Sequence, residues 1–196
     1  MSFKQTPSQT VGPYFAYGLA APQYGYRHTA IASGEVADEL VDGERIRIVG
    51  RVFDGAGALI PDALIEIWQA DSEGRYAHAA DGRTSNQPFR GFGRFGTGTD
   101  RESRFIFTTI KPGRVDAAQA PHVNVTIFMR GMLLHAFTRI YFSDEAEANA
   151  RDPVLQSVPE ERRQTLIAER EETPAGIVYH FDIHMQGDDE TVFFDL

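Results

Sequence analysis

Cysteine is absent from this 196-residue chain, which excludes disulfides, thiolate metal sites and cysteine nucleophiles together. Basic charge is also scarce: 19 Lys and Arg stand against 28 Asp and Glu, a formal net charge of −9. Nucleic acid and anionic membrane are therefore poor partners for the surface as a whole. No apolar run approaches the length of a membrane span, and residues 1–7 hold nothing like a signal peptide. These absences predict a cytoplasmic protein that binds neither nucleic acid nor membrane. An anionic small molecule would need a local gathering of arginines.

What is present is enough apolar material, 42% of residues, for one domain with a real core. The 18 glycines and 10 prolines suit a turn-rich β fold. Residues 1–196 are expected to form a single mainly β domain, a β-sandwich with one or two short helices in its connections. Residues 45–196 are its core and 1–44 an extended N-terminal arm with loops. The arm shows no periodicity, turns at Gly12-Pro13, and carries Tyr14, Phe15, Tyr17, Tyr24 and Tyr26. So many aromatics suit docking on another element or chain better than free disorder.

The most informative stretch is Ala120 to Arg130. Val123, Val125, Ile127 and Met129 alternate with His122, Asn124, Thr126 and Phe128, so the first set is a core stripe and the second the opposite strand face. Residues two apart on a strand are roughly 6.7 Å apart and point the same way, so His122 and position 124 are spaced to converge on one metal ion. Asparagine at 124 is a weak donor for a transition metal, and the pattern reads as a metal site with a ligand missing.

Other strands are predicted from Arg45 to Val52, Ala63 to Trp68, Arg104 to Ile110, Leu133 to Phe142, Val178 to Met185 and Thr191 to Phe194. A helix is predicted from Pro159 to Glu169, with proline near its start and acids in the first turn, and a shorter helical turn around Glu145–Ala150. Gly91-Phe92-Gly93-Arg94-Phe95-Gly96 matches a dinucleotide-binding glycine pattern but lacks the strand-before, helix-after context that pattern needs. It reads as part of a long loop over 77–104. His180, Asp182 and His184 share a strand face, yet the two histidines would sit roughly 13 Å apart, so a solvated polar face is expected. Trp68, Tyr141, Phe193 and Phe194 read as packing residues. Arg83, Arg90, Arg94, Arg101 and Arg104 read as solvated or paired, while Arg130 sits where the His122 strand reaches its turn, near anything bound at that end.

Trp68-Gln69-Ala70-Asp71, Gly74-Arg75-Tyr76, Thr109-Ile110-Lys111-Pro112-Gly113, Ala120-Pro121-His122-Val123-Asn124, Tyr141-Phe142 and Thr191-Val192-Phe193-Phe194 occur in this order. Together with Thr10-Val11-Gly12-Pro13-Tyr14, they make nearly the whole chain resemble the intradiol ring-cleavage dioxygenases. That resemblance implies a β-sandwich and oxidative opening of an aromatic diol by O2 at a non-haem Fe(III) held by two tyrosines and two histidines. Matched by position, Tyr76 and His122 keep two ligand places, while Val115 and Asn124 stand at the other two. The resemblance therefore implies the alpha type of subunit: the Fe(III) belongs to a homologous iron-bearing beta subunit in a hetero-oligomer, and this chain lends a wall to the partner's pocket. The residues implied to meet the small aromatic acid are Thr10, Gly12, Pro13, Tyr14 and Arg130, with no metal ligand set in this chain. A β-sandwich binding or scaffold module that has lost its metal fits the missing ligands equally well, but it requires neither the arm nor Arg130. A dioxygenase with substitute ligands such as His135 would need a rebuilt surrounding shell.

Overall fold

A computed structural model describes residues 8–83 and 88–195. Expectations touching Thr6, Pro7 and residues 84–87 lie outside these. The core strand β1 (Arg45–Phe53) buries Ile46, Ile48, Gly50 and Val52 on one face. It pairs antiparallel with β4 (Arg104–Ile110), Ile48 opposite Phe107, and parallel with β8 (Gly176–His180). β7 (Ile167–Thr173) completes this half against β8, and β9 (Ile183–His184) extends the end of β1.

The second half is antiparallel: β3 (Phe92–Gly96), β2 (Leu64–Gln69), β5 (Val123–Phe128) and β6 (Ala136–Phe142). Among the described residues the halves are paired strand to strand at Tyr141↔Ile167 and Phe142↔Ala168, a short parallel pairing of β6 with β7. Their inner faces meet in one core. Ile48, Phe105, Phe107 and Tyr179 come from one side and Ile65, Ile67, Val125, Ile127 and Ile140 from the other, all almost fully buried. Each such side chain contributes about 1.5–3 kcal/mol of burial. This is the expected β-sandwich, and the alternation expected at 123–127 is observed directly.

Five local expectations change. Phe92–Gly96 is strand β3 rather than loop, paired along β2. The predicted helix at 159–169 is a 3₁₀ segment, Glu160–Leu166, that gives way to β7. Leu166 and Ala168 are fully buried, so burial and strand pairing override the helix-forming composition. The predicted strand 178–185 is split into β8 and β9, because Asp182 Oδ1 accepts the Arg51 N–H at 2.8 Å and takes the place of a ladder carbonyl. Residues 191–194 form only an isolated bridge, Phe137↔Phe194. There Thr138 Oγ1 donates to Val192 O at 2.8 Å, so a side chain supplies what a ladder would. The arm contains a short helix, α1 (Phe15–Leu19), and a 3₁₀ turn, Ala21–Tyr24, whose alanines Ala16 and Ala20 pack on Leu64.

The connection after β6 holds a 3₁₀ turn (Ser143–Glu145), α2 (Ala146–Asn149), as expected, and α3 (Pro153–Ser157). Asp152 caps α3, accepting from Val154 N and Leu155 N at 2.9 Å each. Among the described residues no helix is long and apolar enough to cross a membrane.

Candidate functional site

Two loops cross to build the site. In the first, buried Asp71 accepts from Glu73 N and Arg75 N, both 2.9 Å, and pairs with Arg75 Nε at 3.0 Å. Gly74 has φ +76°, and a Cβ there would meet Arg114 O at 1.8 Å. Glycine thus both permits the turn and lets the 113–115 loop pass against it. The turn delivers Tyr76, whose N–H is held by Asp81 Oδ2 at 2.8 Å, and its ring stacks on Trp68, 5.8 Å between centroids and 10° between planes. Trp68 is therefore part of the site's wall rather than core packing alone.

From the second sheet half come His122, Asn124 and Arg139. His122 Nδ1 lies 2.9 Å from Ala120 O, so Nδ1 carries the proton and Nε2 is free to accept. Tyr76 Oη is 3.4 Å from that Nε2 and accepts from Asn124 Nδ2 at 3.1 Å. Asn124 Oδ1 is in turn taken by Arg139 Nε at 3.1 Å, and Arg139 Nη1 reaches Gln119 Oε1 at 3.2 Å. Arg139 stands opposite Asn124 in the β5–β6 register. Beneath them Tyr141 Oη donates to the buried Asp152 Oδ1 at 3.0 Å, while Asp152 Oδ2 accepts from Ala120 N at 2.8 Å and fixes the start of the His122 strand.

The electrostatics favour neutral side chains around a fixed cation. Burial pushes the Tyr76 phenol above its ordinary range, with the Asn124 hydrogen bond and the Arg139 charge opposing. Burial pushes the His122 imidazole down, and Arg139 adds to that effect. A ferric ion takes hard anionic donors. Here the amide oxygen of Asn124 is engaged by a guanidinium, and Val115 has no donor atom. These residues do not fit an iron ion. Among the described residues no group of three or more His, Asp or Glu is placed to hold a metal ion. His180 bonds Glu171 at 2.7 Å and His184 stacks on Phe53, so that face is structural and solvated.

The remaining candidate residues gather at another edge. Thr10 Oγ1 accepts the Gly131 N–H at 2.9 Å, which ties the arm to the turn carrying Arg130. The Gly12-Pro13 turn is present, closed by Phe15 N donating to Gly12 O at 3.2 Å, and Tyr14 is 77% exposed. Arg130 pairs with Asp62 and stays more than half exposed. Arg130 also borders an open cleft of about 550 Å³ with Met129, Met132, Phe137, Met185 and Phe193. The structure thus brings Thr10 and Arg130 together and separates them from Tyr76 and His122. Arg83, Arg94 and Arg104 are paired with Asp81, Glu66 and Asp100. Sequence reasoning passed over Arg139, which matters through its cross-strand register with Asn124, and Gln119, which lies in the loop before β5. It also passed over Asp62, whose place two residues before β2 gives no cue.

A dioxygenase family model matches residues 19–187, and the chain belongs to the intradiol dioxygenase family. The particular relatives sharpen this. The chain is 55% identical over 196 residues to the protocatechuate 3,4-dioxygenase alpha chain of Burkholderia cepacia, covering 100% of this chain and 99% of that one. It is 33% identical over 190 residues to the protocatechuate 3,4-dioxygenase beta chain of the same organism, covering 91% and 77%. Among solved structures, the dioxygenase domain of a dioxygenase and carbohydrate-binding protein fusion from Streptomyces sp. SirexAA-E superposes with a TM-score of 0.61 at 21% identity, covering 94% and 99%. That last likeness speaks to the fold.

Proposed function

We propose that this chain works as the alpha type of subunit in a protocatechuate 3,4-dioxygenase, a cytoplasmic hetero-oligomer in which a homologous beta chain holds the Fe(III). Its own part is to complete the pocket in which the partner opens protocatechuate with O2 to 3-carboxy-cis,cis-muconate. The observation that carries this reading is the separation of the two sites. The inherited ligand positions are closed into a hydrogen-bonded network, whereas Thr10 and Arg130 are joined at an outward edge. Exposed Tyr14, Leu133 and Leu134 lie on the arm and beside the Arg130 turn, which suits an edge covered by another chain. The much higher identity to an alpha than to a beta chain points the same way.

At that edge the Arg130 guanidinium meets the substrate carboxylate, and Thr10, Gly12, Pro13 and Tyr14 shape the wall beside it. A charge-assisted hydrogen bond of this kind is worth about 1.5–3 kcal/mol. Arg130→Ala in the assembled enzyme is therefore expected to lower kcat/KM for protocatechuate by about 10- to 150-fold and that for uncharged catechol far less. An equal loss for both substrates would remove the carboxylate role.

A further inference from the structure

The inherited metal position of this chain is doubly defective: ligands are missing, and a cation has been built in. We infer that Arg139 actively excludes metal ions from the Tyr76–His122–Asn124 position, so that restoring the missing ligand types does not by itself restore a metal site. This goes beyond the proposed subunit role and stands whether or not that role is right.

The argument rests on where each donor atom is directed. An ion held between Tyr76, His122 and position 124 needs Tyr76 Oη, His122 Nε2 and the side-chain donor at 124. Tyr76 Oη and His122 Nε2 face each other at 3.4 Å, which places both at the same point of the network. The third donor, Asn124 Oδ1, accepts from Arg139 Nε at 3.1 Å. Asn124 turns its Nδ2 to Tyr76 Oη at 3.1 Å, so its one donor oxygen is directed away from Tyr76 and held by the guanidinium, which stands one side chain behind the position a bound cation would take.

Arg139 is also well anchored there. Its strand pairs Arg139 with Asn124 across β5–β6, Gln119 Oε1 accepts from its Nη1 at 3.2 Å, and the Tyr141 hydroxyl lies against it. Both of its acceptors at Asn124 and Gln119 are neutral amides. Neither cancels its charge, and at His122 the carboxylates of Asp152 and Asp116 each oppose it less strongly than it acts. A second cation a few ångströms away is repelled by like charge in a partly dehydrated setting. A guanidinium cannot relieve this by losing its proton.

The test compares full-length Asn124→His with Asn124→His/Arg139→Gln, using zinc alone as the probe, because His122 and a new histidine at 124 offer imidazole nitrogens of the kind zinc takes, with the Tyr76 hydroxyl beside them. Equilibrium dialysis and the zinc-dependent rise in melting temperature report binding without any catalytic readout. The Arg139→Gln form is expected to bind at least tenfold tighter, close to one zinc per chain, while the Asn124→His form stays nearly metal-free. Equal binding by the two, or no binding by either, overturns the inference. Should near-UV circular dichroism show Arg139→Gln to disturb the fold, Asn124→His/Arg139→Lys keeps a positive charge there. It is expected to bind as poorly as Asn124→His, and tight zinc binding by it overturns the claim equally.

Discussion

Thr10 and Gly131 lie 121 residues apart and are joined by one hydrogen bond, Gly131 N to Thr10 Oγ1 at 2.9 Å. This contact sets the arm against the turn that presents Arg130, where Gln9 and Val11 also border a cleft with Met129 and Met132, and two distant stretches of sequence become one surface. Removing the acceptor with Thr10→Val is expected to leave the melting temperature within a few degrees, since an exposed neutral hydrogen bond is worth only about 0.5–1.5 kcal/mol. In the assembled enzyme the same change is expected to raise KM for protocatechuate several-fold with kcat little altered. Steady-state kinetics beside a thermal melt check both halves of this prediction.

The Arg130–Asp62 pair carries a prediction of the opposite sign. Asp62 offers Arg130 an internal carboxylate that a substrate carboxylate must displace. Solvent-exposed pairs of this kind contribute about 0–1 kcal/mol. Asp62→Asn is therefore expected to lower KM for protocatechuate by up to about fivefold and to leave that for catechol unchanged. A rise in KM would show instead that Asp62 holds Arg130 in its working orientation.

Lys111, from the Lys-Pro-Gly turn after β4, bonds Asp144 Oδ2 at 2.7 Å and Glu145 Oε1 at 2.8 Å. Tyr179 Oη donates to the same Asp144 at 2.9 Å. Two connections of the fold and strand β8 meet there. Burial works against the Lys111 charge, but the two carboxylates outweigh it and raise its pKa above the ordinary lysine value. Burial likewise opposes the Asp144 charge, and Lys111 and Tyr179 overcome it, so its pKa lies below the usual aspartate value of 3.8. A depressed carboxylate stabilises the fold fully above its unfolded pKa, and that stability is lost as pH falls through the folded value. Lys111→Met is expected to cost about 1–3 kcal/mol at neutral pH. It is also expected to flatten the acid limb of a stability-versus-pH curve below pH about 4. Urea unfolding at a series of pH values measures this.

Gly93 shows why one strand was hidden in the sequence. A Cβ there would lie 2.6 Å from Val36 Cγ2 and 3.0 Å from Ile67 Cγ1 and from Phe107 Cδ1. The glycine is demanded by close packing between β3 and the opposite half, not by a turn. Gly93→Ala is expected to destabilise by about 1–3 kcal/mol through overpacking, read as a lower urea midpoint with unchanged slope.

That case marks the limit of what periodicity reveals. Where one face is buried and the other wet, as in Val123-Asn124-Val125-Thr126-Ile127, alternation alone placed the strand and its core face. Where glycines replace side chains at a tight contact, as in Phe92–Gly96, the apolar signal vanishes and the stretch imitates a loop. Where charged residues run up to a strand, as from Glu160 to Glu169, composition imitates a helix, and only the pairing with β8 reveals where the strand begins to form. The same holds at the site. Tyr76, His122 and Asn124 were legible by motif, and their convergence is real. Arg139 was invisible, because its importance comes from standing across a strand pair from Asn124 rather than from any spacing along the chain.

The central claim, a chain without its own iron that completes a partner's pocket, is tested most directly by iron content and visible absorption. The full-length chain is measured alone and after co-expression with a protocatechuate 3,4-dioxygenase beta chain. The account predicts an iron-free, colourless chain alone, and a coloured complex that consumes O2 and cleaves protocatechuate only when both chains are present. Iron with phenolate-to-iron absorption in the isolated chain, or a chain that stays indifferent to the beta chain, would contradict it.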